Sequence, residues 1–299
     1  MELTGLHLLL TYQCTLQCEH CFVFGSPWQE GTMSLDVIEN ILQQGKQLGT
    51  IKTIYFEGGE PFLYYPTLLR GVEMAYEMGF SVGLVSNGFW GISEEDAFRA
   101  LSPMRGKVSM LSLSCDQYHW DNRYEECISN IEKVAEELGI GTGVITIAQP
   151  EAINAMKSSG TIPPGESTVM FRGRAAVELS QKITLSSWEN FDSCPHEDFL
   201  NPGRIHIDPL GYLHICQGIT IGNLLEKSLD KIWAEYDAHT HPITGPILKG
   251  GPIELAKKHG VEHADGYADV CHFCFEVRSQ LRDKFPVELG PDQMYKEIN

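Results

Sequence analysis

The chain has 299 residues, of which 42% are hydrophobic and 21% charged, and a formal charge of −18. That length buries a sizeable core as one large domain or two ordinary ones, and the acidity argues against a nucleic-acid backbone or an anionic membrane as main partner, since both need a basic face. No apolar run nears the ~20 residues that span a bilayer and no signal peptide opens the chain, so nine cysteines imply a reducing, cytoplasmic setting with metal ligands rather than bridges.

The first 180 residues alternate between two hydrophobic periods. Short apolar or β-branched runs at 6–12, 51–57, 80–87, 107–114, 142–148 and 167–171 predict six strands. Helical patterns lie between them: 34–48 with Ser34 as N-cap and Gly49 as stop, 66–79 opening on Pro66, 93–102 capped by Ser93, and 125–138 ended by Gly139. Cys127 falls in the last of these as a buried or half-buried thiol. The stretch 149–167, rich in Pro, Gly and Ser, reads as a loop with one helical turn.

After residue 185 the pattern changes. Residues 204–216 read as a hairpin turning at Pro209-Leu210-Gly211, 223–236 as a helix, and 239–270 as irregular surface structure. Strand–helix alternation implies parallel strands joined by right-handed crossovers. Six units are too few to close an eight-stranded barrel. The expected class is therefore α/β: a partial (β/α)6 TIM-like barrel over 1–185, then a smaller α+β domain over 186–299.

In such sheets chemistry gathers on the loops at the carboxyl ends of strands. "CTLQCEHC" (14–21) follows the first strand, "GGEP" the second, "SNG" the third, "CDQYH" the fourth and "RGRA" the sixth. Three thiols crowd the first loop. A structural zinc wants four protein ligands and a disulfide two, so three leave one coordination position open. Zinc completed by His20 or a distant ligand is the alternative.

The spacing Cys14-x3-Cys18-x2-Cys21 after a first strand, with His20 before the third cysteine, resembles the radical S-adenosylmethionine (SAM) superfamily. The resemblance implies a 4Fe–4S cluster on these cysteines whose open iron binds SAM, and reductive cleavage to a 5′-deoxyadenosyl radical. "FEGGEP" resembles the family's GGE motif. By the same resemblance His20, Phe22, Gly58, Gly59, Glu60, Ser86 and Asn87 surround the cofactor. Ser114 and Asp116 take the ribose hydroxyls, and Arg172 or Arg174 the methionyl carboxylate. Taken singly, GGEP and SNG are ordinary turns and either arginine an ordinary surface residue.

Cys194, Cys216, Cys271 and Cys274 remain, and "GYLHIC…IGNLLEKSLDKIW" resembles the SPASM domain in its shortened twitch form. That resemblance implies one auxiliary 4Fe–4S cluster. Four-cysteine zinc is the alternative, because spacing alone does not separate the two. Cys115 ends the fourth strand, either as a hydrogen-atom donor in the substrate cavity or as a small space-filling residue. Tyr118 and His119 are candidate proton-transfer groups.

The leading expectation is hydrogen abstraction from a small-molecule or peptide substrate, a net two-electron oxidation assisted by the auxiliary cluster. An external one-electron reductant such as flavodoxin or ferredoxin supplies the first electron. A chain that begins almost at its first strand is expected to lack a fused leader-recognition domain, which favours a small molecule or a peptide brought by a separate protein. An epimerase using Cys115 is the second reading. A non-catalytic zinc-binding interaction protein is the third.

Overall fold

A computed structural model describes residues 2–119, 122–159 and 164–296. The barrel units run β1 (Leu3–Thr11), α1 (Leu35–Leu48), β2 (Thr53–Gly58), α2 (Tyr65–Glu77), β3 (Ser81–Ser86), α3 (Glu94–Leu101), β4 (Val108–Ser114), α4 (Asn122–Leu138) and β5 (Gly141–Ile145). The helix signals are physical ones. Ser34 Oγ accepts from Val37 N, and Gly49 ends α1 at φ 78°. Ser93 Oγ caps α3 through Asp96 N in the same way. Ile128, Ile131, Val134, Ala135 and Leu138 of α4 are all buried, as is Cys127.

The fold is α/β, with a mostly parallel sheet of the partial TIM-barrel kind. Strands β1 to β5 pair in parallel in sequence order. The expected sixth strand at 167–171 does not form a ladder, and only a single bridge joins Ser167 to Ile147. Residues 150–159, expected as a loop with one turn, form α5 (Pro150–Ser159); the remainder of that stretch reaches into undescribed residues 160–163. Next come α6 (Arg174–Glu178) and the two-residue β6 (Ser186–Ser187).

The hairpin is β7 (Gly203–Ile207) and β8 (Tyr212–Cys216), with Gly211 in its turn at φ 86°. β7 lies parallel to β1, and β9 (Ile219–Asn223) completes an eight-stranded sheet of order β5-β4-β3-β2-β1-β7-β8-β9. One sheet thus takes strands from both sides of residue 185. The predicted helix at 223–236 is shorter: Asn223 ends β9, a turn follows, and α7 (Leu229–Glu235) starts after Ser228.

Residues 239–270 are the larger departure. They contain α8 (Thr244–His259), non-helical at Gly250 and Gly251, with Ile247, Leu255 and Ala256 buried. Beyond it β10 (Gly266–Tyr267) pairs with β6, and α9 (Val270–Leu281) follows. Gly and Pro within the tract hide a helix whose apolar residues tertiary packing buries. No helix among the described residues is long and apolar enough to cross a membrane.

One buried network ties the hairpin to the start of the chain. Asp208 accepts from the Tyr12 hydroxyl at 2.7 Å and lies 3.1 Å from His214 Nε2, while its other oxygen accepts from Leu210 N and Tyr212 N. Tyr12, Asp208 and His214 are fully buried. Tyr12→Phe removes a bond to a buried carboxylate, a loss of about 1.5–3 kcal/mol. Chemical denaturation is expected to show a lower midpoint at an unchanged slope.

Candidate functional site

Side chains that leave the sheet on its inner face meet in a cavity of about 530 Å³. Strand alternation sorts them. Leu6, Leu8, Phe56, Leu111 and Leu113 enter the core between sheet and helices. His7, Tyr55, Glu57, Ser112 and Ser114, one residue out of phase, line the cavity.

The rim carries the thiols. Cys14, Cys18 and Cys21 all line the cavity, on a loop pinned by Cys14 N to Ser26 O and Cys21 N to Cys18 O, both 3.0 Å. Gly25 N donates to Cys21 Sγ at 3.2 Å. Burial, and then the neighbouring Glu60, push the Cys14 thiol up to about 12; burial and the other two cysteines raise Cys18 as well. Three thiolates side by side, Cys18 buried and Cys14 and Cys21 half-buried, repel one another unless a cation holds them together. A cationic cluster with one open corner therefore fits this donor set.

Two glycines set the loop's spacing. A Cβ on Gly59 would lie 2.1 Å from the Gln13 carbonyl oxygen, because Gly59 N and Glu60 N bond Thr11 O and Gln13 O at 2.7 and 2.8 Å. The "GGE" glycines thus bring the second loop against the first, in addition to lining the cavity. Gly173, at φ 61°, packs on the carbonyls of Cys21 and Phe22, where a Cβ would come within 2.7 Å.

Of the expected cofactor residues, His20, Phe22, Gly58, Gly59, Ser86, Asn87, Ser114 and Arg172 line the cavity, as does His119. Others stand behind it. Glu60 is fully buried, and its oxygens accept from Phe62 N, Ser86 Oγ and Asn87 N. It ties the second loop to the third, and burial raises its carboxyl to about 7. Asp116 accepts from Tyr118 N at 3.0 Å and Ile147 N at 3.2 Å, with His119 Nδ1 at 2.7 Å. Although burial raises its carboxyl, His119 and His20 bring it below the usual range. Tyr118 stacks on His20 with ring centroids 4.6 Å apart. Arg174 donates to the carbonyls of Cys18 and Gly25 at 2.8 and 2.9 Å, bracing the thiol loop.

Cys115 has two readings, a thiol in the cavity or a small space-filling residue. It packs against the sheet–helix core, while its neighbour Ser114 takes the inward position. The strand's period of two requires this.

The other four cysteines also converge. Cys194, Cys216 at the end of β8, and Cys271 and Cys274 on one face of α9 line a single small cavity with Arg172, Glu197 and Arg278. Arg172 Nη1 lies 3.3 Å from Cys216 Sγ and 3.4 Å from Glu197. Arg278 is 2% exposed and donates to the Gln217 carbonyl at 2.7 Å. Two buried guanidiniums beside four thiols fit an anionic metal–thiolate centre. Arg172 lines both cavities, so it stands between them.

His7, Glu57, His206 and Arg204 also line the main cavity, and they were not anticipated. Their signal is a polar residue set between apolar neighbours of a strand, once in "LHLLL" and at every second position in "RIHID". Burial raises the Glu57 carboxyl, but His206 and His7 outweigh it and hold it well below the usual range.

Residues 8–151 match the radical SAM superfamily. The Bacillus subtilis (strain 168) protein named "Putative peptide biosynthesis protein YydG" is 32% identical over 123 residues, 41% of this chain and 39% of that protein. The Fibrobacter sp. (strain UWH6) S-adenosylmethionine-dependent nucleotide dehydratase is 31% identical over 115 residues, 36% of this chain and 32% of that protein. The matched stretch spans less than half of either relative. In fold, the chain is similar to BtrN in complex with AdoMet and 2-DOIA, with a TM-score of 0.57 at 16% identity over 89% of this chain and 99% of that one. It is also similar to anSMEcpe with bound AdoMet and Cp18Cys peptide, with a TM-score of 0.52 at 12% identity over 95% and 97%.

Proposed function

With residues 8–151 forming a radical SAM domain, we propose that the protein cleaves SAM reductively and abstracts a hydrogen atom from a small molecule or peptide. The net reaction is a two-electron oxidation, with a flavodoxin- or ferredoxin-type reductant supplying the first electron. The observation that carries this reading is the convergence of Cys14, Cys18 and Cys21 with the second, third and fourth strand loops on one cavity.

When bound, a 4Fe–4S cluster on these thiols supplies the electron that converts SAM to methionine and a 5′-deoxyadenosyl radical. The chain's own residues hold and orient. Gly58, Gly59, Ser86 and Asn87 present backbone and short polar groups beside the thiols, and Ser114 presents a hydroxyl across the cavity. Glu60 and Asp116 fix the loops that carry them. His119 lines the cavity with Asp116 orienting its Nδ1, which suits it to exchange a substrate proton.

Cys194, Cys216, Cys271 and Cys274 would hold the auxiliary 4Fe–4S cluster. Arg172 would sit between the two centres. An epimerase returning hydrogen from Cys115 is less well supported, because that thiol faces the helix layer.

Protein prepared without oxygen and given SAM and dithionite is expected to release 5′-deoxyadenosine and to contain about eight irons per chain. Absence of 5′-deoxyadenosine, or zinc in place of iron, overturns the reading.

A further inference from the structure

The cavity has a second polar centre, on the strands rather than on the loops that bear the thiols. His7 of β1, Glu57 of β2 and His206 of β7 occupy three adjacent strands, and the register makes His7 and His206 direct neighbours. Leu6, Leu8, Phe56, Ile205 and Ile207 point to the opposite face, so alternation commits the three polar side chains to the interior. His7 lies four residues, or about 13 Å of strand, before the β1 terminus that leads to the thiol loop.

Glu57 is only 12% exposed, and a carboxylate in that setting needs a partner. Its Oε2 is 3.2 Å from His7 Nδ1 and its Oε1 is 3.1 Å from His206 Nε2. All three ligand atoms lie within 4.8 Å of one another. Yet Oε1 accepts no hydrogen bond, despite the short separation. The His206 nitrogen is close to Oε1 without directing an N–H toward it. His7 Nδ1 hydrogen-bonds Oε2 in the tautomer that carries its proton there, and in the other tautomer it presents a lone pair to the same carboxylate. Donors roughly 3.0–3.4 Å apart are what ligand bonds of about 2.0–2.1 Å to one ion produce.

We propose that His7, Glu57 and His206 bind one divalent first-row transition-metal ion whose remaining coordination positions open into the cavity. Two imidazoles and a carboxylate suit zinc or iron(II), not the all-oxygen shells of calcium or magnesium. Three protein ligands leave room for an outside donor, as in a catalytic rather than a structural site. The donor that fits is a substrate oxygen: a hydroxyl, a carboxylate or a peptide carbonyl. Arg204, on the same wall, adds a positive charge for it. The substrate role rests on the radical SAM reading, whereas the ion site rests on the geometry of the three side chains.

The test uses cluster-loaded protein incubated with zinc chloride alone and then gel-filtered. Wild-type protein is expected to retain about one zinc per chain, with nitrogen and oxygen but no sulfur neighbours at the zinc X-ray absorption edge. His206→Ala and the near-isosteric Glu57→Gln are each expected to lower zinc affinity at least about tenfold with iron and sulfide unchanged. Failure of the wild type to retain zinc, sulfur in its shell, or equal retention by both variants overturns the proposal. The radical SAM reading is judged separately, by 5′-deoxyadenosine release without added zinc.

Discussion

Cys18→Ala is expected to lower 5′-deoxyadenosine formation by at least about a thousandfold, which is some 4 kcal/mol of barrier, and to remove about four irons per chain. The expectation is chemical: with one of three thiols gone, the N-terminal cluster has too few protein ligands to persist. The polypeptide around it stays, because the loop is braced independently by Arg174 on the Cys18 and Gly25 carbonyls and by Cys14 N on Ser26 O. Circular dichroism and iron content measured on the same sample check both halves. A variant that keeps full turnover would dissociate these thiols from the chemistry.

The double variant Cys271→Ala/Cys274→Ala is expected to behave differently. SAM cleavage should continue while substrate product disappears, since the vacant cluster corner and its loops are untouched. Stability should fall sharply. Arg172 and Arg278, 8% and 2% exposed, would lose two of the four thiolates around them. An uncompensated buried charge costs about 3–5 kcal/mol. For a chain of this size that corresponds to a Tm lowered by roughly 5–8 °C. Calorimetry and parallel assays of 5′-deoxyadenosine and product distinguish this from general unfolding, in which both activities vanish together.

Local signals carried much of the fold. Ser34, Gly49 and Ser93 marked helix ends because caps act within a few residues, and α4 was legible from its five buried apolar positions. The β7–β1 pairing was not, since strand composition names no partner and these strands stand some 200 residues apart. α8 was hidden by Gly250, Gly251 and Pro252, whose local preference opposes a helix that burial of Ile247 and Leu255 sustains.

At the site, the thiol spacing located the rim loops, but not which side chains reach the cavity. Glu60 and Asp116 are motif residues that turn back to bind the backbone, a choice made by tertiary donors such as Asn87 N and Ile147 N. Cys115 fits its reading as a space-filling residue: with Ser112 and Ser114 inward, the next residue has to face the helices. His7, Glu57 and His206 each look ordinary alone and become a cluster only once three strands lie side by side.

The position of β1 bears on how the chain comes to be folded at all. Its sequence, LTGLHLLLT, occupies an interior place in the sheet, yet one of its edges is covered by residues 203–207. On a ribosome adding about 5–20 residues per second, that leucine-rich edge stays open for roughly 10–40 s before its cover emerges. An uncovered apolar edge is a template for pairing with other chains. Over that interval the nascent chain is open to such pairing at this edge.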